Sequence, residues 1–235
     1  MMEEDVTVHK DRVLVQEISH SAFSAVQPKS VLSDGIYAFT KRAFDVSCAL
    51  IGIVLCAIPM LVIAVRIRVT SPGKVIFRQK RVGKNGKLFT IYKFRTMVDG
   101  AENFRRHLSP KQYAQYIKER KLTDDPRVTP FGGFLRRSSL DELPHLLNIL
   151  KGDMSLVGPR PVVMDELKHY KEDVYAYLGV RPGLTGMWQV NGRSATTYAE
   201  RVRLDVRYFE KHSFGGDVHL VAQTFAVVFR KNGAY

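Results

Sequence analysis

The sequence predicts a membrane-associated α/β protein, mostly helical, in which one re-entrant membrane helix and a small β-hairpin are surrounded by amphipathic helices. Three observations predict this fold: a long uncharged run, an Asn-Gly turn between two short strand-like segments, and apolar residues at helical spacing further along. The chain has 235 residues, of which 45% are hydrophobic and 25% are charged. These ordinary values exclude a wholly disordered chain and suit one domain with an extension.

The first element is a run of 20 uncharged residues, 46–65, which reads VSCALIGIVLCAIPMLVIAV. As a helix rising about 1.5 Å per residue it spans about 30 Å, the hydrocarbon thickness of a bilayer. Ile, Val and Leu on every face argue against a buried helix of a soluble protein, and a cleaved signal peptide would lie nearer the start. We therefore expect residues 39–70 to be embedded in a membrane and residues 1–38 to form a flexible extension.

Pro59 bears on how this helix lies in the membrane. Its ring removes the hydrogen bond to the Leu55 carbonyl and kinks the helix. Basic residues flank both ends, at 41–42 and 66–68, which suits a bent helix that enters and leaves by the same face. The alternative is a Pro-kinked spanning helix, although such helices usually carry a positive excess on one side only. Both alternatives place residues 66–235 in the cytoplasm.

The net charge of the chain is +13, and residues 66–137 account for it with 19 Lys+Arg against 5 Asp+Glu. Such a surplus indicates a polyanionic partner, which means anionic lipid, a phosphorylated substrate or nucleic acid. Because the sequence contains no helix-turn-helix or aromatic-basic sheet motif, nucleic acid is the least favoured of the three.

Turn and periodicity signals set out the remaining elements. A strand begins at residues 75–77, Asn85-Gly86 accepts the positive φ angles of a hairpin turn, and a return strand follows at 88–94. Ser138 and Ser139 are candidate caps for a helix over 140–150, whereas two prolines make 158–161 a loop. Helices are also expected over three further segments: 101–121, 164–178 and 217–230.

The stretch 136–144 contains adjacent carboxylates, Asp141 and Glu142, shortly after Arg136. A carboxylate can bind a divalent cation or attack a phosphorus atom, and an arginine can hold phosphate oxygens by paired hydrogen bonds. The structural alternative is that acidic residues in a first helical turn simply favour the helix dipole.

Basic residues elsewhere are candidates for binding anions. Arg160 lies between two prolines, so its stiff backbone loses little entropy when the side chain binds. Lys93 and Arg95 lie on one face of the return strand, where solvation is the default explanation.

The segment 181–193 combines the only Trp with polar side chains in a Gly-punctuated loop. Such a loop lets the backbone approach a ligand closely, and the side chains suit a nucleotide or a sugar; a structural turn around a core Trp is the alternative. The candidate residues here are Arg181, Gln189, Asn191 and Arg193.

Five motifs then occur in a fixed order: 41–45 (KRAFD), 92–97 (YKFRTM), 139–144 (SLDELP), 152–161 (GDMSLVGPRP) and 181–186 (RPGLTG). In this order they resemble the bacterial sugar transferases, also called monotopic phosphoglycosyl transferases. The resemblance covers residues 39–235. Residues 124–129 and the Gly-Ala-Tyr ending are most similar to the exopolysaccharide branch, whose members transfer galactose-1-phosphate or glucose-1-phosphate.

The resemblance implies a reaction in which a UDP-hexose gives its sugar phosphate to undecaprenyl phosphate and releases UMP, as the first membrane step of exopolysaccharide synthesis. It implies a catalytic domain over 71–235 facing the cytoplasm at the bacterial inner membrane. Asp141 matches the nucleophile that forms a covalent phosphosugar intermediate, and Glu142 matches its partner; both would contact Mg²⁺. The implied phosphate-binding residues are Arg136, Arg160, Lys93, Arg95 and Arg181, and the implied nucleotide or sugar contacts are Gln189, Asn191 and Arg193.

Two departures and two open alternatives accompany this resemblance. The family breaks its membrane helix at a Ser-Pro pair, which is Ile58-Pro59 here, and the usual Gln after Leu-Pro is His145 here. A non-catalytic scaffold of a polysaccharide assembly complex is the alternative function. The apolar segment 217–230 suits either the membrane surface or a partner such as a second copy in a homodimer.

Overall fold

A computed structural model of the chain describes residues 31–119, 122, 124–192 and 196–229. Short helices and two small sheets follow one long helix along these residues. The elements are α1 (Val31–Thr70), β1 (Ile76–Val82), β2 (Leu88–Phe94), α2 (Phe104–His107), α3 (Pro110–Glu119), α4 (Pro130–Ser138), α5 (His145–Lys151), β3 (Ser155–Val157), α6 (Met164–Leu167), α7 (Val174–Leu178), β4 (Gly183–Thr185), α8 (Met187–Val190), α9 (Tyr198–Lys211) and α10 (Phe214–Phe229).

Helix α1 has the length and composition expected of a membrane helix. Its part from Gly35 to Thr70 is long and apolar enough to cross a bilayer, and only 11% of its most apolar stretch is buried within the protein. A core helix of a soluble protein would be mostly buried, so this exposure favours contact with lipid.

The ends and the course of α1 differ in detail from the prediction. It begins at Val31, so residues 31–38 are helical, whereas residues 1–30 of the predicted extension lie outside the described residues. The helix also runs through Pro59 to Thr70 rather than ending at the proline. Pro59 is therefore a bend point within one helix at most, and re-entry into the membrane stays a prediction.

The predicted hairpin is confirmed. Strands β1 and β2 pair in a two-stranded sheet, and the turn between them is a short 3-10 segment at Lys84–Gly86. Asn85 and Gly86 both have positive φ, 55° and 73°. Asn tolerates this left-handed region better than most residues and glycine adopts it freely, which explains why these two residues form the turn.

Two helices predicted as continuous are interrupted by prolines. The helix expected over 101–121 is divided into α2 and α3, and the helix expected over 140–150 is a 3-10 turn at Leu140–Glu142 followed by α5. The divisions fall just before Pro110 and at Pro144, because proline lacks an N–H donor and disfavours helical geometry in the residue before it. The helix expected over 164–178 is also divided, near Lys171, whose φ is +46°.

A second sheet is formed by β3 and β4, which pair in parallel with Ser155 opposite Gly183. The β4 segment was expected to lie in a loop, and no element was predicted for the β3 segment. Glycine permits this close pairing, since a methyl group on Gly183 would overlap the backbone of Gly158.

The chain divides into two compact units. The larger comprises the residues up to Val54, Arg78–Ile91 and the residues from His145 onward, and the smaller comprises Leu55–Phe77 and Tyr92–Pro144. The core of the smaller unit includes Ile63, Ile67, Phe94 and Leu135. In the larger unit, one core cluster surrounds Ile149, Met154 and Val157, and another surrounds Tyr170, Tyr177 and Leu178.

Within the larger unit, three charged residues of the 41–45 motif bind the protein itself. The Lys41 Nζ lies 2.7 Å from the buried Asp217 carboxylate, which also accepts from the Tyr37 hydroxyl. Arg42 donates to the carbonyls of Ile149 and Leu150 at the end of α5, which satisfies carbonyls that a helix C-terminus leaves unpaired. Asp45 accepts from the Leu156 N–H at the start of β3.

Candidate active site

The predicted site residues fall into two sets, one in each unit. The dyad set, in the smaller unit, contains Lys93, Arg95, Arg136, Asp141 and Glu142. The loop set, in the larger unit, contains Arg160, Arg181, Gln189 and Asn191. Arg193 lies outside the described residues.

The two carboxylates of the dyad set lie in the 3-10 turn Leu140–Glu142 rather than in a helix. Ser139 ends α4 in the left-handed region, with φ 57° and ψ 15°, and its carbonyl accepts from the Glu142 N–H. It is therefore not the side-chain cap that was predicted: it makes no side-chain cap hydrogen bond to this turn. Backbone geometry that is rare for a residue other than glycine thus directly precedes the dyad.

Lys93 and Glu142 form an ion pair, with Nζ 2.5 Å from Oε1. Their side chains are 17% and 22% exposed, so the contact is partly shielded from water. Asp141 beside them is 9% exposed. A charge-assisted hydrogen bond of this kind holds one carboxylate of the dyad and offsets part of the negative charge around the other.

Arg136 is held by a neighbouring segment of the smaller unit. Its Nε donates to the Thr96 Oγ1 over 2.9 Å. Helix α4, which carries Arg136, is capped at its start by Thr129, whose Oγ1 accepts a hydrogen bond from the Gly132 N–H. Gly132 lies against the Thr96 carbonyl so closely that a methyl group there would overlap it. The Thr96 backbone thus fixes the start of the helix, and the Thr96 side chain fixes Arg136.

The structure gives Arg95 a local role in addition to its predicted one. Its guanidinium donates to the carbonyls of Ser71 and Pro72 and lies 3.6 Å from the Asp99 carboxylate. These contacts hold the turn that follows α1. Phosphate binding by Arg95 stays a prediction.

Arg127 is a charged residue that the sequence analysis did not single out. It is 3% exposed, bonds both carboxylate oxygens of Asp125, and lies within about 5 Å of the rings of Phe104 and Tyr116. Burial opposes ionisation of Asp125, but the hydrogen bonds from Arg127 outweigh it and lower the pKa of that carboxyl. This pair attaches α2 and α3 to the loop before α4.

In the loop set, Arg160 lies over the only tryptophan of the chain. Its guanidinium carbon is 5.6 Å from the Trp188 ring, within cation–π range. Trp188 is half-buried and forms part of α8, so the structure does not support a turn around a fully buried core Trp. Arg181 donates from Nε to the Gly152 carbonyl over 3.0 Å, which ties the 181–186 motif to the 152–161 motif.

The two polar candidates of α8 differ in exposure. Gln189 is half-buried, whereas Asn191 is exposed and donates its side-chain amide to the Met187 carbonyl. Asn191 also lines a cavity of about 280 Å³ together with residues of α9 and α10, among them Arg207 and Lys211. Contact of either residue with a nucleotide or sugar stays a prediction.

Two further arginines, Arg81 and Arg201, contact the loop that carries Arg160. Arg201 is 6% exposed and lies 3.9 Å from Asp205, and Arg81 lies 3.3 Å from Glu166. Burial raises the pKa of the Asp205 carboxyl to about 6, although the Tyr170 hydroxyl and Arg201 act to lower it. Arg81 and Arg201 could not be identified from the sequence, because an interior ion pair has no sequence pattern of its own.

The donor set of the dyad suits a magnesium ion that is held partly by substrate. Asp141 and Glu142 are consecutive carboxylates, and Mg²⁺ in phosphoryl-transfer sites binds through one or two carboxylates together with substrate phosphates. Over the described ranges, no cluster of three or more His, Cys, Asp or Glu residues is placed to hold a metal. The residues therefore fit a shared site for the ion.

His145 is the first residue of α5 and is 3% exposed. A Gln-to-His exchange at this position therefore affects a buried side chain.

Residues 36–231 match the family described as bacterial sugar transferase. The chain is 44% identical over 200 residues to the undecaprenyl-phosphate galactose phosphotransferase of Salmonella typhimurium, covering 84% of this chain and 42% of that protein. It is 43% identical over 204 residues to the exopolysaccharide production protein ExoY of Rhizobium meliloti, covering 85% of this chain and 90% of that protein.

A third relative is the UDP-galactose-lipid carrier transferase of Erwinia amylovora, 40% identical over 200 residues, which cover 84% of this chain and 42% of that protein. The chain thus spans less than half of the Salmonella and Erwinia proteins but nine-tenths of the rhizobial one.

Proposed function

Because the chain belongs to the bacterial sugar transferase family, we propose that it transfers hexose-1-phosphate, galactose or glucose, from a UDP-hexose to undecaprenyl phosphate and releases UMP. This would be the first membrane step of exopolysaccharide synthesis. The names of the Salmonella and Erwinia relatives support a phosphoglycosyl transferase that acts on a lipid carrier, and the name of the rhizobial relative supports a role in exopolysaccharide production.

The observation that carries the proposal is the dyad turn: a buried Asp141 next to Glu142, whose charge is neutralised by Lys93. A carboxylate is ionised at neutral pH, so it is a usable nucleophile without a general base. Its difficulty is repulsion from the negatively charged diphosphate. A lysine already paired with the neighbouring carboxylate reduces that repulsion.

The reaction proceeds in two displacements. A carboxylate oxygen of Asp141 attacks the sugar-linked phosphorus, and the bond from that phosphorus to the bridging oxygen breaks, so UMP leaves with the electron pair. An oxygen of undecaprenyl phosphate then attacks the same phosphorus, and the phosphorus–oxygen bond to Asp141 breaks. The second displacement restores the carboxylate and yields the lipid-linked sugar diphosphate.

The remaining residues bind and orient the donor. Arg136 and Arg160 hold phosphate oxygens, with Lys93, Arg95 and Arg181 as further basic contacts, and Gln189, Asn191 and Arg193 contact the nucleotide or sugar. Asp141 and Glu142 would also hold Mg²⁺, which supplies charge neutralisation for the diphosphate when it is bound.

The apolar helix α1 fits an enzyme whose acceptor is a lipid. We propose that α1 is re-entrant and holds the protein at the bacterial inner membrane, with the catalytic residues in the cytoplasm. Labelling a cysteine introduced near residue 20 with an impermeant thiol reagent in intact cells tests this topology. Protection from the reagent is expected, and external labelling would contradict re-entry.

The full chain in detergent tests the activity. Release of UMP is expected from UDP-galactose or UDP-glucose when Mg²⁺ and a polyprenyl phosphate are present. Without the acceptor, a burst of about one UMP per enzyme and a hexose-phosphate adduct on Asp141 are expected, as for other covalent two-step mechanisms.

The matched variants are Asp141→Asn and Asp165→Asn, the second being an exposed aspartate on α6. The first should abolish both the burst and turnover, and the second should leave them unchanged. Wild-type turnover by Asp141→Asn would refute the nucleophile assignment. The non-catalytic scaffold would instead be favoured if the wild-type protein released no UMP from any UDP-hexose.

A further inference from the structure

Two arginines, the buried Arg201 and the partly buried Arg81, hold the backbone at Arg160 and Pro161. Arg201 donates from Nη2 to the Arg160 carbonyl over 3.2 Å, and Arg81 donates from Nη1 to the Pro161 carbonyl over 3.3 Å. The carbonyl before them, that of Pro159, accepts from the Gly183 N–H over 2.8 Å. Three successive carbonyls therefore each have a donor, and prolines on both sides of Arg160 restrict the remaining backbone rotation.

Arg201 also shares an aromatic ring with Arg160. Its guanidinium carbon lies 5.0 Å from the Trp188 ring centroid, where that of Arg160 lies 5.6 Å away. The indole cannot rotate freely, because its Nε1–H donates to the Thr196 Oγ1 over 2.5 Å. The Trp188 ring is thus a common support for one buried and one half-buried guanidinium.

Arg201 is itself rigidly held. It lies 5.1 Å from the Tyr198 ring and close to the carboxylates of Asp205 and Glu166. Burial opposes ionisation of Glu166, but the Val163 N–H and the charges of Arg201 and Arg81 lower its pKa, so it is ionised at neutral pH. A guanidinium with such partners is part of the structure rather than a ligand-binding group.

We propose that Arg201 is a positioning residue for Arg160. It fixes the Arg160 carbonyl by a hydrogen bond, and its guanidinium packs against the same Trp188 ring as that of Arg160. The inference rests on the proposed function, in which Arg160 binds phosphate oxygens of the sugar nucleotide. A guanidinium that is already oriented loses less conformational freedom on binding, so the benefit falls on donor binding rather than on the displacement steps.

The conservative variant Arg201→Lys separates this role from a merely structural one. Lysine keeps the positive charge beside Asp205 and Glu166 but lacks the planar group that both donates to Arg160 and lies over the indole. The KM for the UDP-hexose should rise about 10- to 100-fold, as expected when a binding group is displaced by about 1 Å, while kcat changes less than about threefold.

Arg203→Lys is the matched control, because Arg203 lies two residues further along α9 and is exposed. It should keep the wild-type KM. An unchanged KM in folded Arg201→Lys, or a fall in kcat with KM unchanged, would overturn the proposal. In the Arg160→Lys background, Arg201→Lys should add less than threefold to KM, since its effect passes through Arg160; full additivity would contradict it.

Because Trp188 is the only tryptophan, its fluorescence can report ligand binding without enzyme turnover. Titration of the wild-type protein with UMP or inorganic diphosphate should change its fluorescence emission, and Arg201→Lys should shift the midpoint to higher concentration. Fluorescence emission that does not change on addition of either ligand would contradict the proposal. If the fluorescence responds but no UDP-hexose yields UMP, the positioning survives and the proposed function fails.

Should Arg201→Lys lose its thermal transition, Trp188→Phe tests the same link with Arg201 intact. Its smaller ring lacks the Nε1–H that binds Thr196, so the support for Arg160 is weakened. A raised KM for the UDP-hexose is expected, and a wild-type KM in this folded variant would overturn the proposal.

Discussion

The Nζ of Lys93 lies 2.5 Å from the Oε1 of Glu142, so the second carboxylate of the dyad is paired with a cation carried by β2. Both partners belong to the smaller unit, whose core includes Phe94, the residue after Lys93. Packing of β2 against this core therefore determines the position of the Lys93 ammonium group. The pair makes the charge around Asp141 less negative before any substrate binds.

Replacing Lys93 by Met should reduce turnover about 100-fold, because the Glu142 charge is then uncompensated where the diphosphate must approach. UMP release in detergent measures it. Lys87→Met is the control, since Lys87 is exposed just before the same strand, and it should retain wild-type turnover. Turnover within about threefold of wild type for Lys93→Met would contradict the role given to the ion pair.

Gly132→Ala should destabilise the protein, because the added methyl group would overlap the Thr96 carbonyl and one of the two backbones must move. An overpacking cost of about 1–3 kcal/mol is expected, seen as a lower thermal midpoint. The adjacent Gly133→Ala meets mainly the far end of the Arg137 side chain and should leave the midpoint unchanged or raise it. Equal midpoints for the two variants would contradict the close approach.

Ser139→Gly and Ser139→Val should have opposite effects. The left-handed φ of 57° costs about 1–2 kcal/mol for a residue with a side chain, a cost that glycine avoids and a β-branched residue increases. Thermal midpoints should rank Gly at or above wild type and Val below it. Because this residue directly precedes the dyad turn, Val should also lower UMP release; full activity with Val would show that the turn does not depend on Ser139.

Asp205→Asn should change how stability depends on pH. The folded-state pKa of about 6 lies above the ordinary value of about 3.9, so the folded protein binds this proton more tightly than the unfolded chain does. Its contribution to the free energy of unfolding is fully present below pH 4 and is lost as pH rises through 6, a change of about 3 kcal/mol.

Denaturant unfolding at pH 4.5 and 7.5 measures this effect. The wild-type protein should lose more stability than Asp205→Asn between these two pH values. Identical changes in the two proteins would show that burial does not raise this pKa.

Local signals predicted what local chemistry determines. Asn85-Gly86 predicted the hairpin because Asn and Gly accept positive φ without help from distant residues. The uncharged run predicted α1 because its length and composition are enough to identify an apolar helix. The dyad was found for the same reason, as two adjacent carboxylates. Its conformation was not predicted, because the 3-10 turn Leu140–Glu142 depends on how Ser139 closes the preceding helix.

Features that depend on distant partners could not be predicted. Strands β3 and β4 have three residues each, too few for a periodic pattern, and they form because Gly158 and Gly183 allow two backbones to meet. Arg81 and Arg201 looked like ordinary surface charges. Their roles arise only when their carboxylate partners, the partly exposed Glu166 and the buried Asp205, lie beside them.

The bond between Lys41 and Asp217 also sets an order of events during synthesis. The two residues are 176 positions apart, so a ribosome adding about 5–20 residues per second makes Asp217 about 9 to 35 s after Lys41. Throughout that interval the lysine of the apolar helix has no carboxylate from α10 to pair with. The pairing of these two residues can form only after α10 has been made, so a nascent chain that ends before α10 lacks the carboxylate that binds Lys41 in the folded protein.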